Sequence, residues 1–401
     1  MTKDVRLAPG YLAEDDCWLA DFIEVVGEQT DLADYPHADA VERGVLVYDS
    51  ARLRKEISGA EGRREVAAEL ARALDDGPGI VVFAGAFGDL GVIDRATGQF
   101  EAIIAGQHAA GAAAGDHFAQ SGQNDRIWNA LEKLALRAPD VFAAYYANDI
   151  VATVCHAWLG PGYQVTSQVN VVNPGGAAQT GHRDYHLGFQ SGPQAARFPA
   201  HVHRLSPVLT LQGAVAHTDM PAETGPTMYL PHSQKYLPGY LAFHRPEFGG
   251  YFEANHVQLP LTKGDAAFFN PALFHAAGAN RTTGVRRMAN LLQVSSAFGR
   301  AMEAVDRASM SAALFPALLA MRDAGAAPAM IANAIAACAE GYAFPTNLDL
   351  DQPIDGLAPM TQAELLGQAV AGGWSQERLE AELGTWSARR QSQPPQGRAA
   401  S

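Results

Sequence analysis

Hydrophobic and polar positions change period twice along the chain. Residues 1–60 are polar and mixed. Over 61–76, EGRREVAAELARALDD, Val66, Leu70 and Leu74 recur at helical spacing, and GPG at 77–79 predicts the stop. IVVFAGAF (80–87) is a short apolar run that reads as a buried strand. Residues 105–119 are rich in Ala and Gly and show no clear period. DRIWNALEKLALRAPDVFAAYYAN (125–148) reads as two helices with a boundary at Pro139. YQVTSQVNVVN (163–173) alternates and is β-branched, so it reads as a strand ended by Pro-Gly-Gly.

From 200 to 300 the runs are short and broken by Gly and Pro: LSPVLTLQGAVAHTD (205–219), GPTMYLP (225–231), HVQLPLTKGDAAFFN (256–270) and RRMANLLQVSSAF (286–298). Strands without interleaved helices predict an antiparallel sandwich or barrel. After 300 the period turns helical, in MSAALFPALLAMRDAG and PAMIANAIAACAEG. TQAE (361–364) is a capping box, Gly372 and Gly373 end the helix it opens, and Ser375 starts another. The expected class is mainly β with flanking helices. The expected division is an N-terminal extension (1–60), a β domain (61–299), a helical region packed on it (300–390) and a frayed tail (391–401).

With 48 % hydrophobic residues a large core is within reach, and no uninterrupted apolar window of membrane-spanning length occurs. The net charge is −14, and no Lys/Arg run precedes the tail, which argues against a nucleic-acid partner. Cys17, Cys155 and Cys338 are odd in number and form no C-x-x-C, so neither a disulfide framework nor a cysteine zinc site is expected. The opening MTKDVRLAPGYLAEDDCW has no apolar h-region, so a cytoplasmic location is the expectation.

Candidate chemistry concentrates in GGAAQTGHRDYHLGF (175–189). In extended chain His182 and Asp184 share one face, and so does His186. Two histidines and a carboxylate leave open metal positions, the facial set of non-haem Fe(II) oxygenases. H-x-D also arises by chance, and His217-Thr218-Asp219 is a second instance. The first follows a strand and a Pro-Gly turn, where a ligand can face a cavity, whereas His217 lies inside an apolar run. In KGDAAFFNPALFHAAGANRTTGVRR (263–287), His275 follows a strand and a Pro271 turn, and Arg286 comes eleven residues later. A buried arginine beside a dry metal site fits a dicarboxylate, because guanidinium pairs bidentately with carboxylate. The alternative is that Arg286 and Arg287 are surface residues.

In order, VFAGAF, NVVNPGGAAQTGHRD, ETGPTMYLPHSQKY and KGDAAFFNPALFHAAGANRTTGVRR resemble the phytanoyl-CoA dioxygenase family of Fe(II)/2-oxoglutarate oxygenases. The resemblance covers roughly residues 65–297. It implies a double-stranded β-helix (jelly roll) with Fe(II) on His182, Asp184 and His275. It implies that Arg286 holds the distal carboxylate of 2-oxoglutarate, with Asn170 and Thr166 as further cosubstrate contacts. Gln168, Arg183, Tyr185 and His186 are the candidates for substrate. The turn Pro231-His232-Ser233-Gln234-Lys235 lacks the family's usual Gly and His, and Ala277 stands where many members carry Ser. Asp184 favours hydroxylation over halogenation, since related halogenases lack the carboxylate.

The expected activity is hydroxylation of an unactivated C–H bond of a small molecule, with O₂, coupled to conversion of 2-oxoglutarate to succinate and CO₂. Two rivals stand beside it: a cupin-type metal enzyme that uses no 2-oxoglutarate, and a silent jelly-roll binding protein. No phosphate-binding cluster for a CoA ester stands out, and the terminal additions can serve as a pocket cap or a homodimer contact. HVHR (201–204), Trp128 and the acids Asp219 and Glu223 read as structural or solvated.

Overall fold

A computed structural model describes residues 10–111, 122–354 and 356–392. Its strands in chain order are β1 (Ala40–Glu42), β2 (Val45–Asp49), β3 (Ile80–Ala84), β4 (Asn124–Ile127), β5 (Gln164–Val172), β6 (Thr210–Ala216), β7 (Met228–Leu230), β8 (Val257–Gln258), β9 (Ala266–Phe269), β10 (Phe274–Ala276) and β11 (Arg287–Ser295). Eight form one sheet in the order β1-β2-β3-β9-β6-β11-β5-β4, and three form a second in the order β10-β7-β8. Among the described residues only β2 and β3 pair in parallel. A parallel neighbour needs a crossover, which the helices Ser50–Glu56 and Ala60–Asp75 supply.

The large sheet has two chemically different faces, because successive side chains on a strand point to opposite sides. Val165, Val169 and Val171 of β5, Met288, Leu292 and Val294 of β11, and Leu211 and Val215 of β6 join a layer of helices in the main apolar core. That core extends to the helices Arg307–Asp323, Pro328–Cys338, Gln362–Gly372 and Gln376–Arg389 near the C-terminus. On the other face Gln168 and Asn170, Arg287 and Gln293, and Gln212 look toward the small sheet. The two facing sheets are a jelly roll with helices packed outside it. Tyr229, Leu259, Phe269 and Leu273 close one end of the space between them. The outer side of the small sheet is sealed by Phe22, Tyr236, Phe248, Phe252 and Phe274.

Several elements differ from the sequence reading. The segment 1–60, expected as an extension, contributes β1 and β2 to the large sheet; their runs of three and five residues are too short to show a period. Asn124–Ile127 is a strand at the sheet edge, paired with β5, and the expected helix starts only at Ala130. The run 205–219 opens in a helix, Ala200–Val208, before β6. The unassigned 105–119 begins inside the helix Leu90–Ala109, and its remainder from 112, like the tail from 393, lies outside the described residues. Thr361 caps its helix with Glu364 as expected. Among the described residues no helix is long and apolar enough to cross a membrane, and all three cysteines are free and buried.

Because β2 covers the edge of β3 through Leu46–Asp49, removing residues 1–60 should abolish cooperative unfolding, measured by circular dichroism on heating. A truncated chain that melts like the full one would place the domain boundary at 60 after all.

Candidate metal centre

His182 and His275 sit directly opposite one another on adjacent antiparallel segments. Each backbone N–H bonds the other's carbonyl, both at 3.0 Å. Such a pair projects both side chains to one side, and the two rings lie 4.6 Å apart. Asp184, two residues on, falls on the same side. Its Oδ1 is 3.6 Å from His182 Nε2, and its Oδ2 is 3.4 Å from His275 Nε2. The three ligand atoms all lie within 4.8 Å of one another. Gly181 lets this segment press on its support, since a Cβ there would come 2.5 Å from the Phe252 ring.

Each ring is held by its other nitrogen. His182 Nδ1 donates to Thr180 O and His275 Nδ1 to Leu273 O, both at 2.8 Å. A carbonyl only accepts, so each Nδ1 carries the hydrogen and each Nε2 turns a lone pair toward Asp184. Gln212 Nε2 donates to Asp184 Oδ2 at 2.6 Å. Burial works to raise the Asp184 carboxyl, but His182, His275 and the Gln212 hydrogen bond outweigh it and hold it well below the usual carboxylate range. Burial lowers His182 against the pull of Asp184. An ionised carboxylate and two imidazole lone pairs are the donor set a divalent metal requires, with open positions left for exchangeable ligands.

The triad opens into a cavity of about 1030 Å³, part of it continuous with solvent. Gln168 and Asn170 line it, as does Arg126 on the neighbouring strand. Thr166 does not; its hydroxyl is buried and donates to Gln293 O at 3.0 Å. Arg183 points to the reverse side of the ligand segment, away from the cavity, as alternation requires. After Asp184 the chain leaves the extended conformation, with φ of 63° at Tyr185 and 45° at His186. Both therefore miss the ligand face: the Tyr185 hydroxyl donates to Gln293 Oε1 at 2.6 Å, and His186 Nε2 lies 3.5 Å from Thr210 Oγ1.

The two neighbouring arginines lie on different sides of the cavity wall. Arg286 is exposed and pairs with Glu101 at 3.0 Å and Asp125 at 3.5 Å, outside the cavity. Arg287, the first residue of β11, is buried and lines the cavity with the triad. Its Nη1 donates to Thr224 O at 3.0 Å and Gly278 O at 3.4 Å. Burial lowers its guanidinium to about 10, which leaves it charged at neutral pH.

Among the described residues the second H-x-D joins no group of metal ligands. His217 is buried on the helical face, between Thr97 Oγ1 at 2.8 Å and the Tyr145 hydroxyl at 3.0 Å. Asp219 accepts from Lys263 N at 2.9 Å. His203 of HVHR is a buried helical residue that donates to Ala195 O. In the divergent turn, Ser233 Oγ accepts from Phe274 N at 2.8 Å and so steadies the strand of His275. Gln212 and Gln293 were not among the sequence candidates. Their signal is an amide within a mostly apolar strand run, LTLQGAVA and ANLLQVS.

The profile of the phytanoyl-CoA dioxygenase (PhyH) family matches residues 75–288, more than half of the chain. The chain belongs to the phytanoyl-CoA dioxygenase family. Fe(II) and 2-oxoglutarate are the metal and cosubstrate of this family, and the His182–Asp184–His275 set fits the metal. None of the curated proteins matches the chain. Among solved structures, the non-heme alpha-ketoglutarate-dependent epimerase SnoN from nogalamycin biosynthesis is similar at 19 % identity and a TM-score of 0.38, over 62 % of this chain and 82 % of that one. HygX from Streptomyces hygroscopicus, solved with nickel, 2-oxoglutarate and hygromycin B, is similar at 15 % identity and a TM-score of 0.40, over 58 % and 89 %. The carbocyclase SnoK from nogalamycin biosynthesis is similar at 17 % identity and a TM-score of 0.38, over 57 % and 83 %. At similarity this low, membership rests on the family profile alone.

Two outcomes follow from the geometry. Gln212→Leu should weaken Ni(II) binding by about tenfold, the usual scale for losing a hydrogen bond to a metal ligand, by isothermal titration. His217 supplies a pH dependence independent of the metal. Burial lowers it to about 3, with nearby Lys263 acting the same way and Asp94 opposing. A histidine depressed in the folded state keeps the fold neutral there while the unfolded chain takes up a proton below about 6.5. Stability therefore falls with pH, by about 2 kcal/mol at pH 5 from this residue alone. His217→Gln should flatten the dependence of melting temperature on pH between 6.5 and 5.

Proposed function

We propose that this chain is an Fe(II)/2-oxoglutarate-dependent dioxygenase that hydroxylates a C–H bond of a small-molecule substrate. The observation that carries this reading is Arg287, a buried cation in the same cavity as the triad and hydrogen-bonded there to carbonyls. A dicarboxylate that reaches from the metal to Arg287 gives that guanidinium its counter-ion, in the bidentate form that suits it. The bound metal supplies the redox chemistry that couples decarboxylation of the cosubstrate, with O₂, to oxidation of the substrate.

The chain's own groups prepare that chemistry. Thr180 O and Leu273 O orient the two imidazoles, and Gln212 fixes one carboxylate oxygen. Asn170, in the same row of the sheet as Ala289, lies between Arg287 and Gln168 along the cavity wall and can contact the cosubstrate. Substrate enters past the exposed Phe189 and Met302 toward the buried Gln168. The sheets on either side, with Tyr229 and Phe269 closing one end, exclude bulk water. Asp184 would occupy the ligand position that a halide needs, which favours hydroxylation over halogenation.

The test is succinate formation from 2-oxoglutarate with Fe(II) and O₂ across a metabolite panel, with mass analysis of the product. A gain of one oxygen is expected; an isomer of unchanged mass, or no iron-dependent succinate, would sink the hydroxylase reading. Arg287→Met should weaken 2-oxoglutarate binding by 2 kcal/mol or more, roughly 30-fold, as for a truncated buried charge pair. Arg286→Ala should weaken it by no more than about fivefold, because exposed ion pairs are worth up to about 1 kcal/mol.

A further inference from the structure

Arg183 stands between two metal ligands in sequence and behind them in space. It is 2 % exposed. Its Nη2 donates to the carbonyls of Ser233 and Tyr236, the latter at 2.9 Å. Its guanidinium lies over two rings, with Cζ 5.1 Å from the centroid of Tyr240 and 5.2 Å from that of Phe274. Among the described residues its hydrogen-bond partners are carbonyls, and Nε is buried without one.

These contacts reach both arms of the triad. On one side the peptide units of Arg183 itself carry His182 and Asp184. On the other, Phe274 is the residue before His275, and its N–H donates to Ser233 Oγ at 2.8 Å, on the residue whose carbonyl Arg183 holds. Tyr240, stacked on the guanidinium, donates its hydroxyl to Asp184 O at 3.4 Å. The fold also reserves the space. A Cβ on Gly239 would lie 1.9 Å from Arg183 Cζ and 2.1 Å from Nη2, so the helix that begins there accepts the guanidinium only with glycine at this position.

We propose that Arg183 is a positioning residue of the metal centre, a planar fork that clamps the His182–Asp184 segment and the His275 strand to one turn from behind. This rests on the reading of the triad as the metal site. Lysine does not replace the clamp, because an ammonium has neither the fork nor the flat face. A buried ionic group is weak evidence of stability. The positioning role and a merely structural one therefore predict different results.

The experiment is titration of the full-length metal-free protein with Co(II), followed by its visible absorption and by calorimetry, beside thermal melts without metal. Arg183→Met should keep the metal-free melting temperature near that of the parent yet weaken Co(II) binding by about tenfold or more, the scale seen when support of a metal ligand is lost. Arg183→Lys should fail to restore it. Gly239→Ala, which displaces the guanidinium without removing it, should reproduce the loss and serves in place of Arg183→Met if that variant does not fold. Arg183→Met or Gly239→Ala with parental affinity for Co(II) overturns the proposal. Asp184→Ala with parental affinity, or a parent protein that binds no Co(II), instead overturns the triad on which it rests.

Discussion

The site depends on one backbone pairing, the two hydrogen bonds exchanged between His182 and His275. Residues 93 positions apart become neighbours at ladder distance through it, and the ligand side chains need no long reach to converge. Asp184 follows by alternation alone. A slip of one residue in this register would turn one histidine to the reverse side and dismantle the donor set. That explains why so much of the surrounding structure serves to hold two short, otherwise weak segments in place.

Reinforcement comes from both sides. In the cavity, Gln212 on the large sheet reaches across to Asp184, so the carboxylate ties the two sheets together. Behind it, aromatic rings and the Ser233 turn anchor Phe274, and Arg183 with Gly181 seats the other segment. Both histidines donate through Nδ1 to a carbonyl two residues before them, so each ring is oriented by its own segment rather than by a distant partner. The imidazoles are thus oriented by short, local bonds, while the pairing of the segments and the bonds from Gln212, Ser233 and Arg183 are long-range.

The large sheet separates two kinds of chemistry by the same alternation. One face carries valines and leucines into the helical core, and the other carries amides and a single buried guanidinium to the cavity. Amides along strands can bind polar groups without adding charge, so the charges on the cavity wall are the Asp184 carboxylate and the guanidinium groups of Arg287 and Arg126. His217 belongs to the core face, where hydroxyl groups satisfy it.

Much of this was legible before any coordinates. The strand runs from 163 to 298 and the amphipathic helices are periodic, and periodicity is a local property of the chain. Strand, Pro-Gly turn and H-x-D in that order singled out His182 and Asp184, and the turn at Pro271 singled out His275. The choice between Arg286 and Arg287 was not legible, because both fit the strand and only its register on β5, Arg287 opposite Val172, settles which one faces inward. Tyr185 and His186 are substrate candidates in sequence, and that they leave the ligand face was not legible because the chain turns to positive φ directly after the ligands, without a glycine to announce it. The N-terminal strands escaped it because three to five residues carry no period, and β3, the partner that joins β2 to the sheet, lies about thirty residues away. The sequence by itself determined which segments could be strands or helices and which residue types could bind a metal, since both follow from neighbours along the chain. Only the tertiary structure decided which face each residue presents, because register and crossing of strands are set by contacts between segments far apart in sequence.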